Sequence, residues 1–149
     1  RGGGAGVESP PMQRQERLEV RTPGRGLHEV TGAVAAVVAR SGVATGLCVV
    51  FCPHTSASLV LQENADPSAR ADLLAWLARL APDGDPRYAH DTEGDDDMAA
   101  HLRSAVTRSS ETIPVTGGRL ALGTWQGIYL AEHRAAPHRR TLVVHVLGE

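Results

Sequence analysis

Three histidines, His54, His90 and His101, each lie in a short stretch that is rich in hydroxyls and carboxylates. A neutral imidazole is a preferred ligand of zinc and similar ions, and three histidines on different elements can leave one coordination position open for water or substrate. A buried histidine can equally be a hydrogen-bonded core residue. The residue pattern alone therefore leaves two interpretations open, a polar site that binds a metal and a set of packed histidines.

Carboxylates fill the segment between His90 and His101. They are Asp91, Glu93, Asp95, Asp96 and Asp97. Such groups could supply hard oxygen ligands to Mg²⁺, or they could stabilise the amino end of a following helix. Both roles stay open at this point.

The segment from His54 to Gln62 predicts a strand with one polar face. Period-two alternation places a histidine and two serines on one side and a more apolar set on the other. The polar side carries His54, Ser56, Ser58 and Val60, and the other side carries Thr55, Ala57, Leu59 and Leu61. Glu63 and Asn64 follow directly and extend the polar surface, where we predict substrate contacts. Asp66 precedes Pro67 and is typical of a helix cap.

Two further groups are candidates for substrate binding. Thr124, Trp125 and Gln126 lie between two glycines, which would let the backbone approach a flat ligand, although Trp125 could equally belong to the core. Arg134 could bind a phosphate through two hydrogen bonds, together with Arg139 and Arg140, or these cations could simply be solvated.

Apolar residues predict the first elements that position these groups. Leu18 and Val20 alternate with charged residues, which is typical of a strand. Thr31 can then cap a predicted helix that runs to about residue 40. Its apolar face consists of Val34, Val37 and Val38. Residues 46–51 are apolar on both faces, which indicates a strand covered on both sides.

Two more helices and three strands follow. Asp66 and Pro67 predict a helix that ends at Pro82, and its buried stripe is Leu73, Leu77 and Leu80. A third helix is predicted over residues 96–107, with His101 on its inward side. The predicted buried stripe of this helix is Met98, Leu102 and Ala105. After Pro114 we predict strands over residues 119–125, 128–132 and 141–147. The fold class is therefore α+β, with two packed, mainly antiparallel β-sheets and about three flanking helices.

Length and composition limit the classes of protein. The 149 residues, 42% of them hydrophobic, predict one domain over residues 12–149, after a Gly- and Pro-rich flexible leader at residues 1–11. The formal net charge is −2 and no basic block occurs, which argues against nucleic acid as a partner. No run of about 18 apolar residues predicts a membrane span. We therefore expect a soluble, cytoplasmic protein.

Cys48 and Cys52 belong to a predicted strand, which would place their Cα atoms about 13 Å apart at about 3.3 Å per residue. A disulfide requires Cα atoms within about 7 Å. We interpret both cysteines as small buried side chains, with a metal-binding Cys-x3-Cys pair as the alternative.

Seven motifs in this order resemble the YjbQ family, described as a secondary thiamine-phosphate synthase family. They are His54-Thr55-Ser56-Ala57-Ser58, Glu63-Asn64-x-Asp66-Pro67, Tyr88-x-His90-Asp91, Asp96-Asp97-Met98 with His101, Ile113-Pro114-Val115, Gly123-Thr124-Trp125-Gln126 and Glu132-His133-Arg134. The resemblance covers residues 12–149. Seven compatible spacings are far more specific than any single short motif.

The resemblance implies a homotrimer with sheets around a three-fold axis and a site that acts on a small phosphorylated substrate. The implied reaction joins an aminopyrimidine methyl diphosphate to a thiazole phosphate and releases pyrophosphate. The implied metal ligands are His54, His90 and His101, with zinc or magnesium as the divalent cofactor. We predict His54, Glu63 and His101 as catalytic residues. The predicted substrate-binding residues are Thr55, Ser56, Ser58, Asn64, Asp66, Thr124, Trp125, Gln126 and Arg134.

Two other functions are alternatives. Because three histidines suit zinc and hydrolysis better than the oxygen-rich magnesium sites usual for diphosphates, a metal-dependent phosphohydrolase is the second candidate. A non-catalytic trimer that binds a metal or a small ligand is the third.

Overall fold

The computed structural model describes residues 11–149, so the predicted leader falls outside the described residues except for Pro11. The chain forms eight strands: β1 (Met12–Thr22), β2 (Gly26–Glu29), β3 (Thr45–Phe51), β4 (Ala57–Glu63), β5 (Ser110–Thr116), β6 (Arg119–Leu120), β7 (Gln126–Glu132) and β8 (His138–Gly148). The helices are α1 (Thr31–Ser41), α2 (Pro67–Leu80) and α3 (Asp97–Val106). None of the helices within residues 11–149 is long and apolar enough to cross a membrane.

The strands form two antiparallel sheets. The larger sheet has the order β1-β8-β3-β5-β6 and the smaller one has the order β2-β7-β4. β1 and β8 pair along their whole length, from Met12 opposite Gly148 to Thr22 opposite His138. The predicted α+β class with two mainly antiparallel sheets and three helices is confirmed.

One hydrophobic core joins the two sheets and α1. The predicted apolar face of α1 is confirmed, because Val34, Val37 and Val38 are all buried. They pack with buried residues of both sheets, among them Cys48, Val50, Leu59, Leu130 and Val144. The sheets therefore hold their connecting segments in fixed positions at the sheet ends, where the polar residues lie.

Cys48 and Cys52 are free thiols in this core. Burial raises the pKa of each thiol to about 11. The prediction of two small buried side chains is confirmed.

α2 begins as the sequence predicts. The Asp66 carboxylate accepts a hydrogen bond from the backbone N–H of Ser68 at 2.9 Å, and Pro67 occupies the first turn. The predicted stripe is only partly buried, since Leu77 is in the core whereas Leu80 is exposed.

The buried side of α3 differs from the prediction. The buried residues are Asp97, Ala99, Ala100 and Arg103, whereas Met98 and Leu102 are half-buried and Ala105 is exposed. Charged residues can lie inward here because each has a partner. Arg103 donates two hydrogen bonds to the carbonyl of Ala81, and Asp97 pairs with Arg134.

The predicted strands also need corrections. β2 and β5 were not predicted, and the predicted strand over residues 119–125 is reduced to β6. The Gln126 side chain accepts a hydrogen bond from the backbone N–H of Gly123 at 2.8 Å and closes a turn there. Trp125 lies in this turn with 64% of its surface exposed, so the core interpretation of Trp125 is wrong.

Candidate metal centre

His90, Asp97 and His101 form a compact cluster of potential metal ligands. One ligating atom from each residue lies within 4.8 Å of the other two, and this is the one such group found in residues 11–149. Asp97 and His101 share one face of α3 because they are four residues apart. His90 comes from the connection between α2 and α3. The Nε2 atoms of His90 and His101 lie 2.8 and 3.2 Å from Asp97 Oδ2.

A backbone hydrogen bond orients the ring of His101. Its Nδ1 donates to the carbonyl oxygen of Thr55 at 3.0 Å, which leaves the lone pair of the neutral ring on Nε2. That lone pair is directed at the Asp97 carboxylate, so two acceptors face each other. Such an arrangement is stable when a proton or a metal cation lies between them.

Asp97 is charged although it is buried. Burial alone would raise the pKa of this carboxyl, but the hydrogen bond with His90 and the positive charge of Arg134 help to hold it below its usual value. Arg134 Nη1 lies 2.8 Å from Asp97 Oδ1. The carboxylate is thus available as an anionic ligand at neutral pH.

His54 lies outside this cluster, which combines two of the three predicted histidines with an aspartate. The reason is that His54 Nε2 accepts a hydrogen bond from the backbone N–H of Thr141 at 2.9 Å. Burial and the neighbouring charge of Arg140 lower the pKa of His54. The ring therefore accepts from β8 as a neutral group.

A buried ion pair supports the segment between His54 and β4. Glu132 is fully buried, and Arg140 contacts both of its carboxylate oxygens, at 2.7 and 2.5 Å. Burial would raise the pKa of Glu132, but the hydrogen bonds from Arg140 and Thr22 hold it below the usual value. Arg140 also donates to Ser56 Oγ at 3.0 Å, so a hydrogen bond from β8 holds the Ser56 side chain in place.

Ser58 is buried, whereas the alternation places its side chain on an exposed polar face. Its Oγ lies 2.8 Å from His133 Nε2 and accepts a hydrogen bond from the Thr107 hydroxyl at 2.6 Å. α3 and the segment after it cover this side of β4, which has buried residues on both faces from Ala57 to Val60. Ser58 therefore contacts protein groups, not solvent.

Arg134 is also used by the protein itself. Its three guanidinium nitrogens donate to Asp96, to Asp97 and to the carbonyl of Glu93. The guanidinium therefore has its own acidic partners, in contrast to the open phosphate clamp that the sequence suggests.

The remaining predicted site residues lie at the other end of the smaller sheet. Ala57 pairs with Glu132 and Glu63 pairs with Gln126, so the two ends of the β4–β7 pair are about 20 Å apart at about 3.3 Å per residue. The far end carries Glu63, Asn64, Asp66, Thr124, Trp125 and Gln126. Asn64 is joined to this turn by a hydrogen bond from its backbone N–H to the carbonyl of Trp125 at 2.9 Å. Within one chain these residues do not meet the histidine cluster.

Glu132 and His133 are polar residues to which the sequence pattern assigns no separate role. Both are buried and lie beside Arg134. Their signal was the Glu132-His133-Arg134 motif, in which three charged or polar residues end an apolar strand. In the sequence Asp97 is one of five acidic residues before His101, and its spacing of four from His101 is the signal that distinguishes it.

A cavity of about 150 Å³ adjoins the cluster. Its lining includes His90, Tyr88, Asp91 and Asp95. The exposed edge of His90 is therefore accessible to a small molecule.

Comparison with known proteins identifies relatives along nearly the whole chain. A family model described as UPF0047 protein YjbQ-like matches residues 16–149. A UPF0047 protein of Synechocystis is 56% identical over 137 residues, which are 92% of this chain and 93% of that protein. The UPF0047 protein YjbQ of Salmonella typhimurium is 42% identical over 141 residues, which are 93% of this chain and 100% of that protein.

A solved structure agrees with this result. The crystal structure of a hypothetical protein from Aeropyrum pernix has a TM-score of 0.83 and 34% sequence identity, and the match covers 91% of this chain and 99% of that chain. The chain therefore belongs to the YjbQ-like UPF0047 family.

Proposed function

We propose that this protein is a divalent-metal-dependent enzyme that acts on small phosphorylated molecules, with His90, Asp97 and His101 as the metal ligands. The observation that carries the proposal is the convergence of three ligating atoms within 4.8 Å. The orientation of His101 supports it, because the hydrogen bond from Nδ1 to Thr55 leaves Nε2 free for a metal.

The donor set fits zinc better than magnesium. Two imidazoles and one carboxylate are typical of catalytic zinc sites that keep an open position, whereas magnesium prefers oxygen ligands. When bound there, such an ion would polarise a phosphoryl oxygen and lower the pKa of a bound water. Asp97 would neutralise part of the charge of the ion, and His90 would hold the ion at the solvent-facing side of α3.

The transferase activity is the first candidate, as the family resemblance implies. It would join an aminopyrimidine methyl diphosphate to a thiazole phosphate and release pyrophosphate. This reaction depends on neutralising the diphosphate and on positioning the two substrates. A cation on an open protein surface, beside the exposed Thr55 and the cavity at His90, suits these needs.

A homotrimer is part of this proposal. Glu63, Asn64, Trp125 and Gln126 lie about 20 Å from the cluster within one chain, at about 3.3 Å per residue of strand, so they could act with it only across an interface between copies. The exposed ring of Trp125 supports a contact with another chain, because large aromatic side chains are enriched at interfaces. A cytoplasmic location is also retained as a proposal.

A metal-dependent phosphohydrolase is the second candidate. The specific observation in its favour is the ligand set itself, since two histidines and a carboxylate with an open position recur in hydrolytic zinc enzymes.

One assay separates these functions. Zinc-loaded protein is incubated with both transferase substrates, and thiamine phosphate, pyrophosphate and inorganic phosphate are measured by chromatography. Asp97→Asn is the inactive variant, and Asp72→Asn, an exposed aspartate of α2, is the matched control. Thiamine phosphate formed by wild type and Asp72→Asn, but not by Asp97→Asn, supports the transferase.

Inorganic phosphate without thiamine phosphate supports the phosphohydrolase. Tight zinc binding without any turnover supports a non-catalytic binding protein. Equal product from Asp97→Asn and wild type contradicts the proposed centre.

A further inference from the structure

Arg134, in the connection between β7 and β8, joins several groups at the start of α3. Its Nε donates to Asp96 Oδ2 at 3.0 Å, its Nη1 to Asp97 Oδ1 at 2.8 Å and its Nη2 to the carbonyl of Glu93 at 3.0 Å. Its own backbone N–H donates to the buried Glu132 at 3.2 Å. Because the planar guanidinium is engaged on all three nitrogens, it is held in one orientation.

This arrangement gives the two oxygens of Asp97 different partners. Oδ1 accepts from Arg134, whereas Oδ2 faces His90 at 2.8 Å and His101 at 3.2 Å. A carboxylate can bind a divalent ion through one oxygen or through both. With Oδ1 held by Arg134, only Oδ2 is free to face an ion between the two histidines.

We propose that Arg134 is a positioning residue that restricts Asp97 to binding a metal through Oδ2 alone, and so sets the affinity and coordination number of the centre. This inference rests on the proposed metal function. A lysine would preserve the charge but present a single ammonium group, which cannot reproduce the three directed contacts of the fork. Asp97 would then be free to rotate and offer both oxygens.

The test is a titration of purified protein with Zn²⁺ and with Co²⁺ against a competing chelator. Partners that hold metal ligands in place typically contribute about 10–100-fold to affinity, so Arg134→Lys should bind zinc weaker by about that factor. Stoichiometry should stay at one ion per chain. The visible absorption of bound Co²⁺ should weaken, because a second carboxylate oxygen raises the coordination number and five- or six-coordinate Co²⁺ absorbs less than four-coordinate Co²⁺.

Two further variants complete the experiment. Arg21→Lys is the matched control, since the exposed side chain of Arg21 pairs with Glu19 on β1, and this variant should bind both ions as the wild type does. Asp96→Asn is the second probe if Arg134→Lys fails to fold. It removes the charged partner of Arg134 Nε and should weaken zinc binding in the same direction by a smaller factor.

The outcomes distinguish the inference from the function on which it rests. Wild type that binds neither ion contradicts the metal centre and the role of Arg134 together. Wild type that binds, with an Arg134→Lys variant of equal affinity and identical cobalt spectrum, overturns the role of Arg134 alone. An equal loss of zinc affinity in Arg21→Lys also overturns the role of Arg134, because the effect would then follow from the loss of any guanidinium.

Discussion

His133 lies in the buried interior, and its protonation should limit stability in acid. Burial is the main reason that the pKa of its imidazole falls from 6.5 to about 4. The positive charges of Arg103, Arg25 and Arg140 lower it further, whereas Glu132 opposes them. The folded protein therefore contains a neutral His133 ring, and protonation of this ring should lower the free energy of unfolding.

The sign of the pH dependence follows from the two pKa values. In the unfolded chain the ring binds a proton near pH 6.5, but in the folded protein it does so only near pH 4. The contribution of the neutral His133 ring to the free energy of unfolding is therefore fully present above pH 6.5 and is lost as the pH falls towards 4. The full difference corresponds to about 3 kcal/mol, of which about 2 kcal/mol should be lost between pH 7 and pH 5.

Urea unfolding at pH 7 and pH 5, in the presence of a metal chelator, measures this effect. At an m-value of about 2 kcal/mol/M, the wild-type midpoint should fall by about 1 M urea. The His133→Gln variant cannot titrate at this position, so its midpoint should change much less over the same range. If both proteins lose the same free energy of unfolding between pH 7 and pH 5, His133 is not the group responsible.

Two further predictions concern stability. Glu132→Gln should lower the free energy of unfolding by about 3–5 kcal/mol, because it leaves Arg140 as a buried charge without its counterion. In urea unfolding, a double variant that replaces both residues with apolar ones should regain most of this loss. A Glu132→Gln variant as stable as wild type would contradict this prediction. Asp66→Ala should lower the midpoint of thermal unfolding, because it removes the acceptor for the backbone N–H of Ser68 at the start of α2, whereas Asp72→Ala, at an exposed position of the same helix, should lower it less.

The helices show what local patterns can predict. Val34, Val37 and Val38 repeat at helical spacing, and Asp66 with Pro67 is a strong start signal, so α1 and the beginning of α2 follow from neighbouring residues alone. The face of α3 does not. A rule that buries apolar residues selects Met98 and Leu102, but Asp97 and Arg103 are buried because their partners arrive from other parts of the chain.

The site shows the same limit. His90 and His101 were predicted together, and the cluster contains both. The residue pattern predicts His54 as the third ligand, but its Nε2 accepts a hydrogen bond from the backbone of β8, 87 residues along the chain. Such a contact depends on the packing of strands, which alternation within one segment does not encode.

The most direct test of the metal centre is elemental analysis of protein purified without a histidine tag, comparing wild type, Asp97→Asn and His54→Gln. We expect one zinc per chain in wild type and in His54→Gln, and none in Asp97→Asn. Zinc retained by Asp97→Asn and lost from His54→Gln would contradict the proposed centre, because the ion would then be held by a different set of ligands.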